Sequence, residues 1–324
     1  MNQMFIGAKR LPVTSHRLTD DFKEQFYDPI ELAIDNNVRT SVNLSILKIV
    51  DCQFDLQSLY GVLQNTSASF VLTSKEYEGF MKDPARFMTL SDRVKSSFRR
   101  PDSNAGEGGE LILYGMLESY NGAPKILSKM NLKTDSQKYV NGSDGVHLMQ
   151  VDDDSFQIIF GESKMYADLS AAIKAAFKSI ASIRDENFYS DKTLVNSQLL
   201  NEYADPDMVD ILDRVFLLNR SDPRKPKVGN AFGVLLGFEL DVTDYDINIH
   251  TDEEVEREFL SRAQEAFEEK LPLIGEEIRD HSLGGHHIHI YSVPFLKKRV
   301  ADGTVGIEDV RRDLQNVLRN GRLH

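Results

Sequence analysis

Two short stretches of this chain combine residue types that can act on a phosphate: Gly142-Ser143-Asp144-Gly145-Val146-His147 and Phe156-Gln157-Ile158-Ile159-Phe160-Gly161-Glu162-Ser163-Lys164. They read as an acid at the end of one strand, a turn, and a second strand closing on Glu-x-Lys. Strand side chains alternate with period two, so Lys164 falls on the same side as Glu162. Asp144 and Glu162 would hold a divalent cation, with the backbone carbonyl of Ser163 as a third protein ligand. Mg2+, or alternatively Mn2+, suits such a set, because it takes hard oxygen ligands and keeps several waters. A metal there lowers the pKa of bound water and neutralises phosphate charge. Lys164 would position or deprotonate the nucleophile, or stabilise the charge of the pentacovalent state. The chemistry expected is metal-dependent phosphodiester hydrolysis.

Glu-x-Lys is weak on its own. The Asp/Glu-x-Lys pattern recurs at Asp21-Phe22-Lys23 and at Glu268-Glu269-Lys270, the latter on a long charged helix. Context separates Glu162. An apolar strand runs into it, Asp144 lies 18 residues upstream across a hairpin-like connection, and a further acid lies upstream on a helix. That acid is Glu110, or Glu107 one helical turn away. The bland alternative is a strand end with an ordinary surface ion pair. His147 would touch phosphate or orient a ligand, or else simply pack. Tyr166, two residues past Lys164, would line the groove. Lys125, Lys129 and Lys133 form either a phosphate-facing strip, giving salt-dependent binding, or a solvated helix face; of these, Lys129 and Lys133 are the candidate nucleic-acid contacts. Lys174 and Lys178 carry the same ambiguity.

Other clusters favour structural readings. Asp152, Asp153 and Asp154 lack the spacing and the glycine of a calcium loop and read as a solvated turn. His286, His287 and His289 have no carboxylate or cysteine at ligand spacing and read as a half-exposed strand. Lys297, Lys298, Arg299, Arg311, Arg312, Arg319 and Arg322 form the strongest local positive excess, available to nucleic acid or an acidic partner.

The elements that must position these residues follow from pattern. Val42 to Val50 reads as a strand, Phe54 to Leu63 as a helix and Ser69 to Leu72 as a short strand. The polar segment Arg99 to Gly106 is a plausible boundary, which divides the chain into an N-terminal accessory region, 1–95, and a nuclease domain, 96–324. A helix follows from Glu107 to Leu117, acidic in its first turn as the helix dipole favours. Asp168 caps a helix to Ile183 whose face is Ala171, Ala172, Ala175, Ala176 and Ile180. Met208 to Leu218 reads as helix, and Ala231 to Leu240 as a buried strand. Thr251-Asp252-Glu253-Glu254 is a capping box opening a long helix to about Asp280. A strand from His286 to Val293 and a helix from Ile307 to Leu318 close the chain. Alternating strands and long helices give an α/β class with a mixed sheet flanked by helices.

The chain has 324 residues, 41% hydrophobic and 27% charged, enough for one large or two modest cores. A single cysteine, Cys52, rules out an internal disulfide framework and fits a reducing compartment. With no signal-like N-terminus and no run near the ~18 apolar residues of a membrane span, a cytoplasmic protein is expected. The net charge of −13 argues against autonomous DNA binding through a broad surface. It leaves room for a local basic groove, or for a partner that delivers the substrate.

Taken together, Gly109-Glu110-Leu111-Ile112-Leu113, the Asp144 block and Gly161-Glu162-Ser163-Lys164-Met165-Tyr166 resemble the signature blocks of the HamA family, the nuclease component of Hachiman antiphage defence. The resemblance spans about residues 106–183, extends to Val293-Pro294-Phe295, and is loose over the N-terminal third. It implies a fold of the PD-(D/E)xK superfamily, restriction-endonuclease-like at its core, and a metal-dependent DNase. It also implies a complex with HamB, a superfamily 2 helicase that senses aberrant DNA and restrains the nuclease. Carried onto this chain, the catalytic residues are Glu110, Asp144, Glu162 and Lys164. Ser143 stands where the motif's name has proline, a position that contributes no ligand. The residues alone do not choose DNA over RNA. A non-catalytic scaffold is the remaining alternative, although it would need none of these four residues.

Overall fold

A computed structural model describes residues 11–12, 16–34, 37–99, 106–128, 143–187, 203, 205–218 and 221–322. Its strands are β1 (Ile30–Leu32), β2 (Thr40–Leu44), β3 (Ile49–Val50), β4 (Gln53–Phe54), β5 (Lys125–Ser128), β6 (Gly145–Asp152), β7 (Ser155–Met165), β8 (Lys227–Asp241), β9 (His287–Val300) and β10 (Gly303–Val305). Eight of them form one sheet in the order β1-β2-β9-β8-β7-β6-β5, with β10 on β9; β3 and β4 make a separate hairpin. The centre, β2-β9-β8-β7, is parallel, and both flanks are antiparallel. The chain is therefore mixed α/β, in an arrangement compatible with a PD-(D/E)xK-like core. Parallel strands covered on both faces should be apolar throughout, and β8 is buried without interruption from Ala231 to Phe238.

The helices are α1 (His16–Lys23), α2 (Leu56–Val71), α3 (Ser74–Met81), α4 (Phe87–Ser97), α5 (Glu107–Asn121), α6 (Leu169–Asn187), α7 (Pro206–Leu212), α8 (Asp252–Glu268), α9 (Leu271–Asp280) and α10 (Ile307–Asn320). One face of the sheet carries α5, backed by α1, α2 and α10; the other carries α6, backed by α9. Ala172, Ile173, Ala176, Phe177 and Ile180 of α6 are buried, so the small-residue face lies against β7 and β8. Burying each large apolar side chain contributes about 1.5–3 kcal/mol. Residues 30–44 supply two strands of the sheet that holds the Asp144 and Glu162 blocks.

Three segments differ from their sequence pattern. Val42 to Val50, read as one strand, is β2 as far as Leu44 and then, after a break, β3 in the separate hairpin. Ser45 N still donates to Ser292 O, but Lys48 N turns to Gln25 O and so leaves the sheet. Ser69 to Leu72, read as a strand, is the end of α2 and its C-cap. The hydroxyls of Thr66, Ser67 and Ser69 donate back to Val62 O, Gln64 O and Thr66 O. The back-bonding does not favour the helix in itself, but it satisfies hydroxyls that the packed helix buries. The long helix from Asp252 breaks at Glu269 and Lys270 into α8 and α9. Pro272, in the first turn of α9, cannot donate to the preceding turn and so starts a new helix. The predicted capping box of Thr251 and Glu254 is present.

Candidate active site

Asp144 stands immediately before β6, at the open end of the β6–β7 hairpin rather than at a strand's end. The antiparallel register pairs Gly145 with Gly161, so one further step brings Asp144 opposite Glu162. The 18-residue spacing is thus set by the hairpin register. Asp144 N donates to Gly161 O (2.9 Å). Ser163 donates both its backbone N–H (2.9 Å) and its hydroxyl (3.0 Å) to Asp144 Oδ2. Ser143 fixes the entry to the strand, its hydroxyl donating to Gly145 O (2.7 Å) with Gly161 O at 3.2 Å.

Glu162 is 3% exposed. Its Oε1 accepts from Lys164 Nζ, and Ser179 of α6 also hydrogen-bonds to the carboxylate. Burial, and then the charge of Asp144, push the Glu162 carboxyl up to about 7, against the opposing pull of Lys164 and Ser179. Burial works to lower the Lys164 ammonium, but the charge and hydrogen bond of Glu162, followed by Asp144, raise it overall. The two acids therefore repel one another in a poorly solvated place, a balance a cation would relieve.

Glu110 and Glu107, both buried in the first turn of α5, have different surroundings. Glu107 accepts from Arg99 N (2.8 Å) and Gln315 Nε2 (3.1 Å), and lies 3.6 Å from Arg99 Nε. It ties the approach to α5 onto α10. Glu110 instead lines a narrow cavity of about 10 Å³ together with Asp144 and His147. The helix comes this close because of its glycines. A Cβ at Gly109 would lie 3.2 Å from both Ser163 Oγ and Met165 Sδ, and one at Gly108 would lie 2.5 Å from Leu314 Cδ2.

Among the described residues, no three His, Cys, Asp or Glu side chains converge tightly enough to hold a metal by themselves. The oxygens a cation would meet are fewer: the Asp144 and Glu162 carboxylates, with the Ser163 carbonyl on the strand edge that its N–H shares. A sparse, all-oxygen set of this kind fits Mg2+, which retains water in its coordination shell.

The remaining candidates divide. Tyr166 is 38% exposed and, with Lys164, borders a half-open cleft of about 210 Å³. His147 is 3% exposed; its Nδ1 lies 2.8 Å from Ala123 O and its ring packs on Tyr114. Burial holds it well below its ordinary range, near 4, so it is a packed neutral histidine beside Asp144. Lys129 and Lys133 lie outside the described residues. Lys125 is in β5, not on a helix face, and its ammonium donates to Ser69 O, Phe70 O and Leu72 O at the end of α2. Lys174 and Lys178 are exposed. His289 is held by Gln157 Oε1 (3.1 Å) and Ser41 Oγ (3.2 Å), which gives it a structural partner set. A second cleft, about 180 Å³, is lined by Leu72, Tyr77 and Met208; Glu110, Asp144 and Glu162 line neither cleft, and Ser163 and Lys164 are what join the first to the site.

Two residues around the site escaped sequence reasoning. Ser179 continues the sheet-facing row of Ala172 and Ala176, and a hydroxyl on that row was the available signal. Arg311 borders the same cleft as Lys164, and in sequence it was one basic residue among seven. The sequence model of the HamA family matches residues 20–302. Among curated proteins, none matches the chain.

Proposed function

The chain belongs to the HamA family, the family of a Hachiman antiphage-defence component, and from that premise we propose that it is a metal-dependent DNase. The observation that carries the reading is the end of the β6–β7 hairpin: two buried acids, Asp144 and Glu162, with the Lys164 ammonium on the second. A structural ion pair at a strand end needs no second buried carboxylate beside it. Asp144, Glu162 and the Ser163 carbonyl would hold Mg2+, or Mn2+ in its place. When bound, the metal supplies an acidified water and neutralises charge on the scissile phosphate.

The chain's own residues supply the rest. Ser163 fixes the Asp144 carboxylate with two hydrogen bonds. Lys164 orients the attacking water and stabilises the charge that builds on the phosphoryl and leaving oxygens as the P–O bond breaks. Glu110 completes the acidic surroundings of Asp144. With a net charge of −13, the protein gains little from long-range attraction to DNA. We infer that a HamB-like superfamily 2 helicase delivers the substrate, and that cleavage has little sequence specificity. Among the described residues no helix is long and apolar enough to cross a membrane.

The test is plasmid cleavage in Mg2+ by the chain co-purified with its helicase partner and ATP, comparing the parent with Glu162→Ala and Lys164→Ala. Loss of cleavage in both variants, with the complex intact, is the expected result. Absence of cleavage by the parent on every DNA substrate overturns the reading; cleavage of matched RNA alone reassigns the substrate.

A further inference from the structure

We propose that Arg311 of α10 binds a backbone phosphate of the substrate next to the one under attack, a reading that rests on the nuclease proposal. The cleft of about 210 Å³ is bordered by Ser163, Lys164 and Tyr166 at the end of β7, by Gly108 and Gly109 of α5, and by Arg311. One wall thus belongs to the candidate catalytic strand and the other to the last helix.

The placement of Arg311 follows from how α10 is fastened. Leu314 fills the notch at Gly108. Gln315 donates to Arg99 O (2.7 Å), and Arg319 donates to Lys95 O (2.9 Å) and Phe98 O (3.1 Å). These contacts fix the rotation of the helix and present Arg311, one turn before Leu314 and Gln315, to the cleft. Arg312 pairs with Asp309 and is 58% exposed, away from this wall. The Arg311 side chain is 23% exposed and pairs with Glu308, which is itself 68% exposed. A pair of this kind, between neighbours on one helix surface, is weak. A backbone phosphodiester carries the same single negative charge as Glu308, spread over two oxygens that the planar guanidinium can engage in bidentate fashion. Arg311 can therefore exchange Glu308 for phosphate with little loss, whereas Arg319 is committed to backbone carbonyls.

The experiment measures binding of a short fluorescein-labelled DNA duplex by anisotropy across a salt series, in the non-cleaving Glu162→Gln background of the full chain. Adding Arg311→Gln should weaken binding about tenfold at low salt and lower the slope of log K against log salt by about one. Arg311→Lys should keep the slope while losing part of the affinity, and Arg312→Gln should change neither. Equal melting temperatures establish that α10 remains docked; were Arg311→Gln to melt early, the Arg311→Lys comparison carries the test. Slope and affinity unchanged in a folded Arg311 variant overturn the proposal, read on the chain alone or, where that does not bind, on its helicase complex. Plasmid cleavage, read separately with Glu162 intact, keeps the two readings apart. No cleavage alongside Arg311-dependent binding removes the nuclease and leaves the phosphate site. Cleavage alongside Arg311-independent binding does the reverse.

Discussion

Replacing Glu162 by glutamine should stabilise the protein above neutral pH. Glutamine keeps the shape of the side chain and an acceptor for Ser179 but carries no charge to oppose Asp144. The folded protein holds the Glu162 carboxyl near 7, against an ordinary value of 4.5. A raised pKa means that the folded state binds this proton more tightly than the unfolded state. The resulting stabilisation is complete below pH 4.5 and is lost as the pH rises through 7. Above that point ionised Glu162 is a burden, and at 1.36 kcal/mol per pH unit its ceiling is about 3 kcal/mol. The attraction of Lys164 is already inside that figure, since it is among the influences acting on the carboxyl. We expect parent and variant to unfold at the same urea concentration at pH 4.5 and below, with divalent ions chelated. At pH 8 the variant should be more stable by roughly 1–3 kcal/mol, a shift of several degrees in melting temperature for a chain of this size. Mg2+ should narrow the gap by stabilising the native parent through binding. A variant no more stable than the parent at pH 8 would refute the reasoning, because the burial and repulsion assigned to Glu162 would then be compensated elsewhere.

Two further substitutions test the scaffold. Lys125→Met removes the ammonium from three carbonyls at the end of α2 and should cost about 1–3 kcal/mol without altering the salt slope of DNA binding; a lowered slope would restore Lys125 to the phosphate-facing strip. Gly108→Ala places a methyl 2.5 Å from Leu314 Cδ2 and should cost about 1–2 kcal/mol by overpacking. Leu314→Ala in the same chain should recover part of that cost, a coupling that denaturation of the double mutant measures directly.

Sequence pattern carried the elements whose signal is local. The uninterrupted apolar run of β8, the alanine face of α6 and the Thr251 capping box each identify themselves within a dozen residues. Ser69 to Leu72 misled because its apolar character resembles a strand, while what holds it as a helix end is the burial of Phe70, Val71 and Leu72 and an ammonium on its carbonyls from Lys125, more than fifty residues away. The break at Pro272 was legible in principle, but the charged run on both sides masked it. The separation of Asp144 from Glu162 was informative because a hairpin turns sequence distance into spatial register. No comparable rule links residue 311 to residue 164.

The site shows why residue type alone does not separate chemistry from scaffold. Glu107 and Glu110 lie on the same helical turn, yet Gln315 and the backbone of Arg99 engage the first, while the second shares a cavity with Asp144. Lys125 and Lys164 both sit on strands of the sheet. One ammonium satisfies helix carbonyls, and the other rests on a carboxylate whose protonation is finely balanced. Arg319 and Arg311 share α10 in the same way, the first held on Lys95 O and Phe98 O, the second on an exposed glutamate. In each pair the structural member bonds at least in part to backbone groups, which cannot ionise or leave; the Gln315 amide and the Arg99 guanidinium add to the hold on Glu107. The candidate functional member faces a side-chain carboxylate or a small cavity beside one, where protonation, a cation or a phosphate can displace the resident contact. The partner, rather than the residue, is what makes a position exchangeable, and these partners arrive from as far as two hundred residues away in the chain.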